Sequence, residues 1–145
     1  ILECIEDESE RPALSISARR GARIPLMAGA TARVVLASWP RAKREEFLQL
    51  TPLPHFTERS IADPAQLLSA AEETSRTGIG YDYGEYLTGV NAVAVSITGP
   101  GGAGALVALL WIAGFASHFG AEAMRSAGQQ LHAEAEVISR SLGAR

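Results

Sequence analysis

At 145 residues the chain has the size of one domain, long enough to bury roughly two thirds of the surface its unfolded form would expose. Its hydrophobic content of 47% with 20% charged residues is ordinary for a globular domain, and no apolar run approaches the ~18 residues of a membrane span. A formal net charge of -3 lacks the basic excess that phosphate neutralisation demands, and the single cysteine, Cys4, excludes an internal disulfide and a thiolate metal cluster and fits a reducing cytoplasm.

The chain opens Ile1-Leu2-Glu3-Cys4, without methionine and inside a strand-like run, and is expected to be a fragment whose preceding part has been removed. Ile1 to Ile5 and Ala13 to Ala18 are short strand candidates joined by an acidic surface turn, Glu6 to Pro12. Pro25 pushes its predecessor toward extended angles, so the first helix can start only after it. Ala28 to Ser38 is predicted helical, with Ala28, Ala32 and Val35 on one face, and Pro40 ends it. A second helix, Arg41 to Leu50, is expected to show Arg41, Lys43, Arg44, Glu45 and Glu46 to solvent and to turn Phe47, Leu48 and Leu50 inward. Thr51 to Ala62 carries Pro52 and Pro54 without a clear period and reads as a long loop. Asp63-Pro64 then opens a third helix, with aspartate as N-cap and proline where its missing N–H costs nothing. Leu67, Leu68, Ala71 and Ser75 form its predicted buried stripe, and Gly78 closes it.

Ile79 to Tyr86 is a short strand or loop dense in tyrosine and carboxylate. Asn91 to Phe115 follows, the apolar centre of the chain, two strand-like runs about Gly99-Pro100-Gly101-Gly102-Ala103-Gly104. The first run alternates, with Val93, Val95 and Ile97 on one face and Ala92, Ala94 and Ser96 on the other. The second, Ala105 to Phe115, has almost no polar side chain on either parity, a pattern that requires cover on both faces. Glycine and proline in the connection favour an antiparallel hairpin. After Ser117-His118 the chain is helical, with Met124, Ala127, Leu131, Ala135, Ile138 and Leu142 along one face and Gly143 as C-cap. This order, with antiparallel neighbours, defines an α+β fold, an α/β sandwich of helices flanking a twisted sheet.

The chemistry-bearing residues exclude more than they offer. No histidine has the serine and carboxylate neighbours of a hydrolytic triad. His132 and Glu136, four apart, read as surface neighbours, so no metal is expected, and no cofactor. The loop from Gly99 to Gly104 matches neither phosphate-binding glycine pattern and reads as a turn. Asp82 and Glu85 have the spacing of a general acid and base, but without a third partner a bracing role for the loop is the plainer reading.

Two stretches together resemble the effector-binding domain of IclR-type transcriptional regulators. Gly21 to Arg33, reading GARIPLMAGATAR, looks like the family's G-x-x-x-P-L-H-A-T/S-A-x-G-K. Gly78 to Glu85, reading GIGYDYGE, with Gly89-Val90-Asn91-Ala92, is similar to the tyrosine-and-acid segment that follows. The hairpin ending in Ala113-Gly114 and the closing helix with Ile138-Ser139 and Leu142-Gly143 match in order. The resemblance implies a single GAF-like domain over residues 1–145, no catalysis, a dimer or tetramer, and a cytoplasmic protein that reads DNA only through an N-terminal winged helix-turn-helix absent from this chain. It implies a small organic acid effector bound by Leu26, Ala30, Thr31, Asp82, Val90, Ala92, Trp111 and Ala113.

The residues themselves add Gly29 to that set. Small side chains from Ala28 to Ala30 at a helix start leave backbone N–H groups approachable, a seat for an anion. Asp82 cannot meet the same carboxylate unless one of the two is protonated. The chain also departs from the family: Met27 stands for the histidine, Ala32-Arg33 for the glycine-lysine pair, and Trp111 and Ala113 for the sheet serines. An apolar wall of this kind favours an acid with an aromatic or bulky apolar body. A GAF-like sensor of a signalling protein and an enzyme on the same scaffold stay open as alternatives, because fold alone does not assign function.

Overall fold

The computed structural model describes residues 2–4, 20–100 and 105–143. A two-stranded antiparallel ribbon, β1 (Leu2–Glu3) and β2 (Arg23–Ile24), precedes three helices, α1 (Gly29–Ala37), α2 (Arg41–Leu50) and α3 (Pro64–Thr77). Then come β3 (Ile79–Tyr83), β4 (Val90–Gly99), β5 (Ala105–Phe115) and the long α4 (Ala121–Gly143). β3, β4 and β5 form an antiparallel sheet in that order. α1 lies on one face and α4 on the other, which is the predicted α+β sandwich. The strand candidate at Ala13 to Ala18, the turn at Glu6 to Pro12 and the inner residues of the hairpin loop lie outside the described residues.

Local chemistry accounts for the boundaries. Asp63 Oδ1 accepts the Ala65 N–H at 3.0 Å, Pro64 takes the first helical position, and Gly78 ends α3 at φ 77°. β4 alternates as its sequence requires, and both of its faces are covered. Val95 and Ile97 meet Ile79, Leu110 and Ala135 on the α4 side, while Ala92 and Ala94 meet Ala30 and Val34 on the α1 side. α4 comes close to the sheet at Gly128, where a Cβ would lie 2.9 Å from Ile79 Cγ2.

Five expectations are corrected. α1 is buried on every side from Gly29 to Leu36, not along one stripe, because α3 covers the face that the sheet leaves free. Arg44 is not on a solvated face. It is 7% exposed, and its guanidinium caps the end of α1 by donating to Trp39 O at 2.8 Å and Ala37 O at 2.8 Å. A cation answers the unpaired carbonyls of a helix C-terminus. Leu50, expected inward, is 76% exposed, and in α3 Thr74 is buried where Ser75 was predicted. Last, β5 is the edge of the sheet among the described residues, with Val107, Ile112 and Phe115 exposed, so its apolar faces are only half covered.

Candidate functional site

β3 runs beneath the start of α1. Gly80 permits the contact, since a Cβ there would lie 2.6 Å from Ala30 O and 2.9 Å from Val34 Cγ2. Two residues on, along the same face, comes Asp82, 3% exposed. Its carboxylate presses on Gly29, where any Cβ would collide with it, and Gly29 also has a left-handed φ of 41°. Only glycine satisfies both demands.

Asp82 Oδ1 accepts the Glu85 N–H at 2.6 Å, which folds the chain back at the end of β3. Burial pushes the Asp82 carboxyl above its ordinary value of 3.8; the Glu85 N–H opposes this, the Glu85 charge adds to it, and Arg33 and the Tyr86 N–H oppose it. Glu85 is itself paired with Arg33, Nη2 to Oε1 at 2.7 Å, with side chains 10% and 14% exposed. The second arm of that guanidinium, Nη1, is buried without a hydrogen-bond partner.

Cross-strand pairing completes the floor. Asp82 faces Ala92, and Ala92 faces Ala113; in the next row Gly80 faces Ala94, and Ala94 faces Trp111. Ala30 and Val34 of α1 close over Ala92 and Ala94, with Leu109, Trp111 and Ala113 packed against them. Gly29, Ala30, Asp82, Ala92, Trp111 and Ala113 are thus gathered at one place by three strands and one helix. Val90 shares that face one pair further along, opposite Phe115. Thr31 is turned back on its own helix, its hydroxyl donating to Ala28 O at 2.7 Å and its N–H to the same oxygen at 3.1 Å. Leu26 sits half-buried in the turn ahead of α1.

Beside this cluster the loop between α2 and α3 holds the β3–β4 connection by side-chain hydroxyls. Thr57 Oγ1 donates to Gly84 O at 2.8 Å and Ser60 Oγ to Glu85 O at 2.8 Å. The Phe56 ring meets Tyr86 edge-on at 5.0 Å. Between this loop and α1 lies a cavity of about 20 Å3 lined by Met27, Gly29, Leu53, Phe56, Leu67 and Glu85, with room for a water molecule and no more. The Arg33–Glu85 pair was not among the expected site residues. Its signal was available, since the two opposite charges occupy the two stretches that carry the family resemblance. Elsewhere His132 and Glu136 are exposed neighbours at 3.7 Å, and among the described residues no three histidine, cysteine or acidic side chains are placed to hold a metal.

The fold is that of the class the sequence resembles, and comparison with known proteins agrees with it. The family model "Bacterial transcriptional regulator IclR C-terminal" matches residues 4–140. The chain therefore belongs to the C-terminal effector-binding domains of IclR-family transcriptional regulators. It is 30% identical over 125 residues to the HTH-type transcriptional repressor AllR of Escherichia coli K12, spanning 85% of this chain and 45% of that one. Among solved structures, the IclR of Thermotoga maritima superposes with a TM-score of 0.82 at 29% identity, over 94% of this chain and 54% of that one. The C-terminal domain of the E. coli regulator KdgR gives a TM-score of 0.74 at 28% identity, over 88% and 77%. The chain spans about half the length of the curated relatives it matches.

Proposed function

We propose that this domain senses a small organic acid with an aromatic or bulky apolar body and passes the signal on by self-association within a bacterial transcription regulator. The observation that carries the reading is the convergence of Gly29, Ala30, Asp82, Ala92, Trp111 and Ala113 beneath the start of α1. The amides of Gly29 and Ala30 precede the first helical hydrogen bonds, which begin with the Thr31 and Ala32 N–H groups on Ala28 O. They are the free donors of a helix start, suited to a carboxylate. The methyls of Ala92 and Ala113 and the Trp111 indole give the remainder of the ligand a dry wall.

Trp111 packs against the cluster of Ala30, Val34, Ala92 and Ala94, so an effector enters by displacing the indole or stacking on it. The chemistry is recognition without turnover, in the cytoplasm, and DNA is read by a separate N-terminal domain of the whole protein. Self-association is supported by apolar side chains left open on β5 and α4, among them Val107, Phe115 and Val137. An effector can act only by preferring one arrangement of the assembly over another.

Fluorescence tests the ligand reading directly. Trp39 lies outside the site, edge-on to Phe47 at 5.1 Å, so a Trp39→Phe variant leaves Trp111 as sole reporter. Benzoate-like and branched aliphatic acids are expected to change that emission and raise the melting temperature. If they do neither while small hydroxy or keto acids raise it, the apolar-acid reading is wrong.

A further inference from the structure

We propose that this site binds a carboxylate only together with a proton, held between the ligand's carboxylate and Asp82. The inference rests on the organic-acid reading above and adds what that reading leaves out, namely the acid already in place. Asp82 is 3% exposed, and its carboxylate touches Gly29 at the same helix start that would receive the ligand. Two carboxylates brought together away from water cannot both stay ionised, and one proton shared between them removes the repulsion.

The surrounding charges leave one alternative to the shared proton. On α1 the nearest cation is Arg33; its Nη2 is committed to Glu85 at 2.7 Å and its Nη1 is buried without a hydrogen-bond partner, and a ligand carboxylate paired with Nη1 instead would bind without proton uptake. On the β3–β4 connection, Glu85 is a third carboxylate and adds to the repulsion. From β4 and β5 the residues in line with Asp82 are Ala92 and Ala113, which carry no charge. Arg59, from the loop between α2 and α3, is exposed and donates to Tyr83 O at 3.3 Å. The Asp82 carboxyl is already displaced in the right direction, because burial favours its protonated form.

The proton balance is simple. Above the pKa of the buried acid, protein and ligand each enter as an anion, one proton is taken from solvent, and the bound state holds it in a hydrogen bond between the two carboxyl groups. Binding then weakens about tenfold for each unit rise in pH. A neutral ligand that donates a hydrogen bond to ionised Asp82 takes up nothing.

Calorimetric titration of the purified chain with benzoate, in phosphate and in Tris at each pH from 6 to 8.5, measures the uptake directly. The expected result is one proton per benzoate and an affinity falling about tenfold per pH unit. Benzamide, of the same shape and uncharged, is expected to bind with neither effect. Asp82→Asn is expected to bind benzoate with a flat pH profile and no uptake. Benzoate binding without proton uptake in the unaltered chain overturns the proposal and leaves the organic-acid reading standing. Equal uptake with benzamide also overturns it, since the proton then belongs to another group. No binding of benzoate or of a branched aliphatic acid at any pH removes the apolar-acid reading and this proposal with it.

Discussion

The two faces of the sheet are built from alternate residues of the same strands and follow opposite rules. Toward α4 they carry Ile79, Tyr81, Val95, Ile97 and Leu110, large side chains that interlock with Leu131, Ala135 and Leu142. Toward α1 they carry Gly80, Asp82, Ala92, Ala94 and Ala113, with Leu109 and Trp111 as the large groups packed against them. A face assembled for stability fills its space with branched and aromatic carbon. The α1 face instead gives up volume, buries a carboxylate and leaves a guanidinium arm without a partner. Those are the marks expected of the ligand-binding surface proposed above.

The sharpest way to break this contrast is at the ion pair. Arg33→Met is expected to destabilise the chain by about 4 kcal/mol, because Glu85 stays buried as an uncompensated charge. Adding Glu85→Gln should restore most of that loss, which urea unfolding of the single and double variants will show. On the opposite face, Met124 is fully buried, so Met124→Ala should lower stability by about 3 kcal/mol while leaving benzoate affinity unchanged. An affinity change comparable to that of an α1-face variant would erase the distinction between the faces.

Trp111→Ala is expected to lower stability by about 2 kcal/mol, less than full burial would imply because the indole is only partly covered. It should also open space that free indole fills, read as a rise in melting temperature with indole for this variant alone. The smallest effect belongs to Asp82→Asn. A carboxyl whose folded value is raised contributes stability that is complete below 3.8 and is lost as pH climbs through the raised value. At neutral pH the asparagine variant should therefore be more stable than the unaltered chain, provided it keeps the bond from the Glu85 N–H. The gain should vanish toward pH 4, and melting curves across that range check both sign and window.

Much of the frame was legible in the sequence where its signals are local. Asp63-Pro64 and Gly78 bound α3 as their chemistry dictates, and the alternation of Val93, Val95 and Ile97 against Ala92 and Ala94 assigned β4 its two faces. What stayed hidden depends on partners far along the chain. Nothing near Arg44 announces that it will cap α1 while touching Ser75. Nothing near Gly29 announces that a carboxylate from β3 will occupy the place of its missing side chain. The edge position of β5 was misread for the same reason, since an apolar strand records what it is made of and not which neighbours reach it.

The hydroxyl clamp on the β3–β4 connection has a spectroscopic consequence. Phe56 and Thr57 lie in a loop without helix or strand, yet both their amides donate to Ser60 Oγ at 2.9 Å, and that hydroxyl in turn donates to Glu85 O. Their deuterium exchange should be slow for a loop and should report on the residue that pairs with Arg33. Two loop backbone protons thus serve as a natural gauge of whether the acid cluster beside them has shifted, readable by NMR without any label placed in the site.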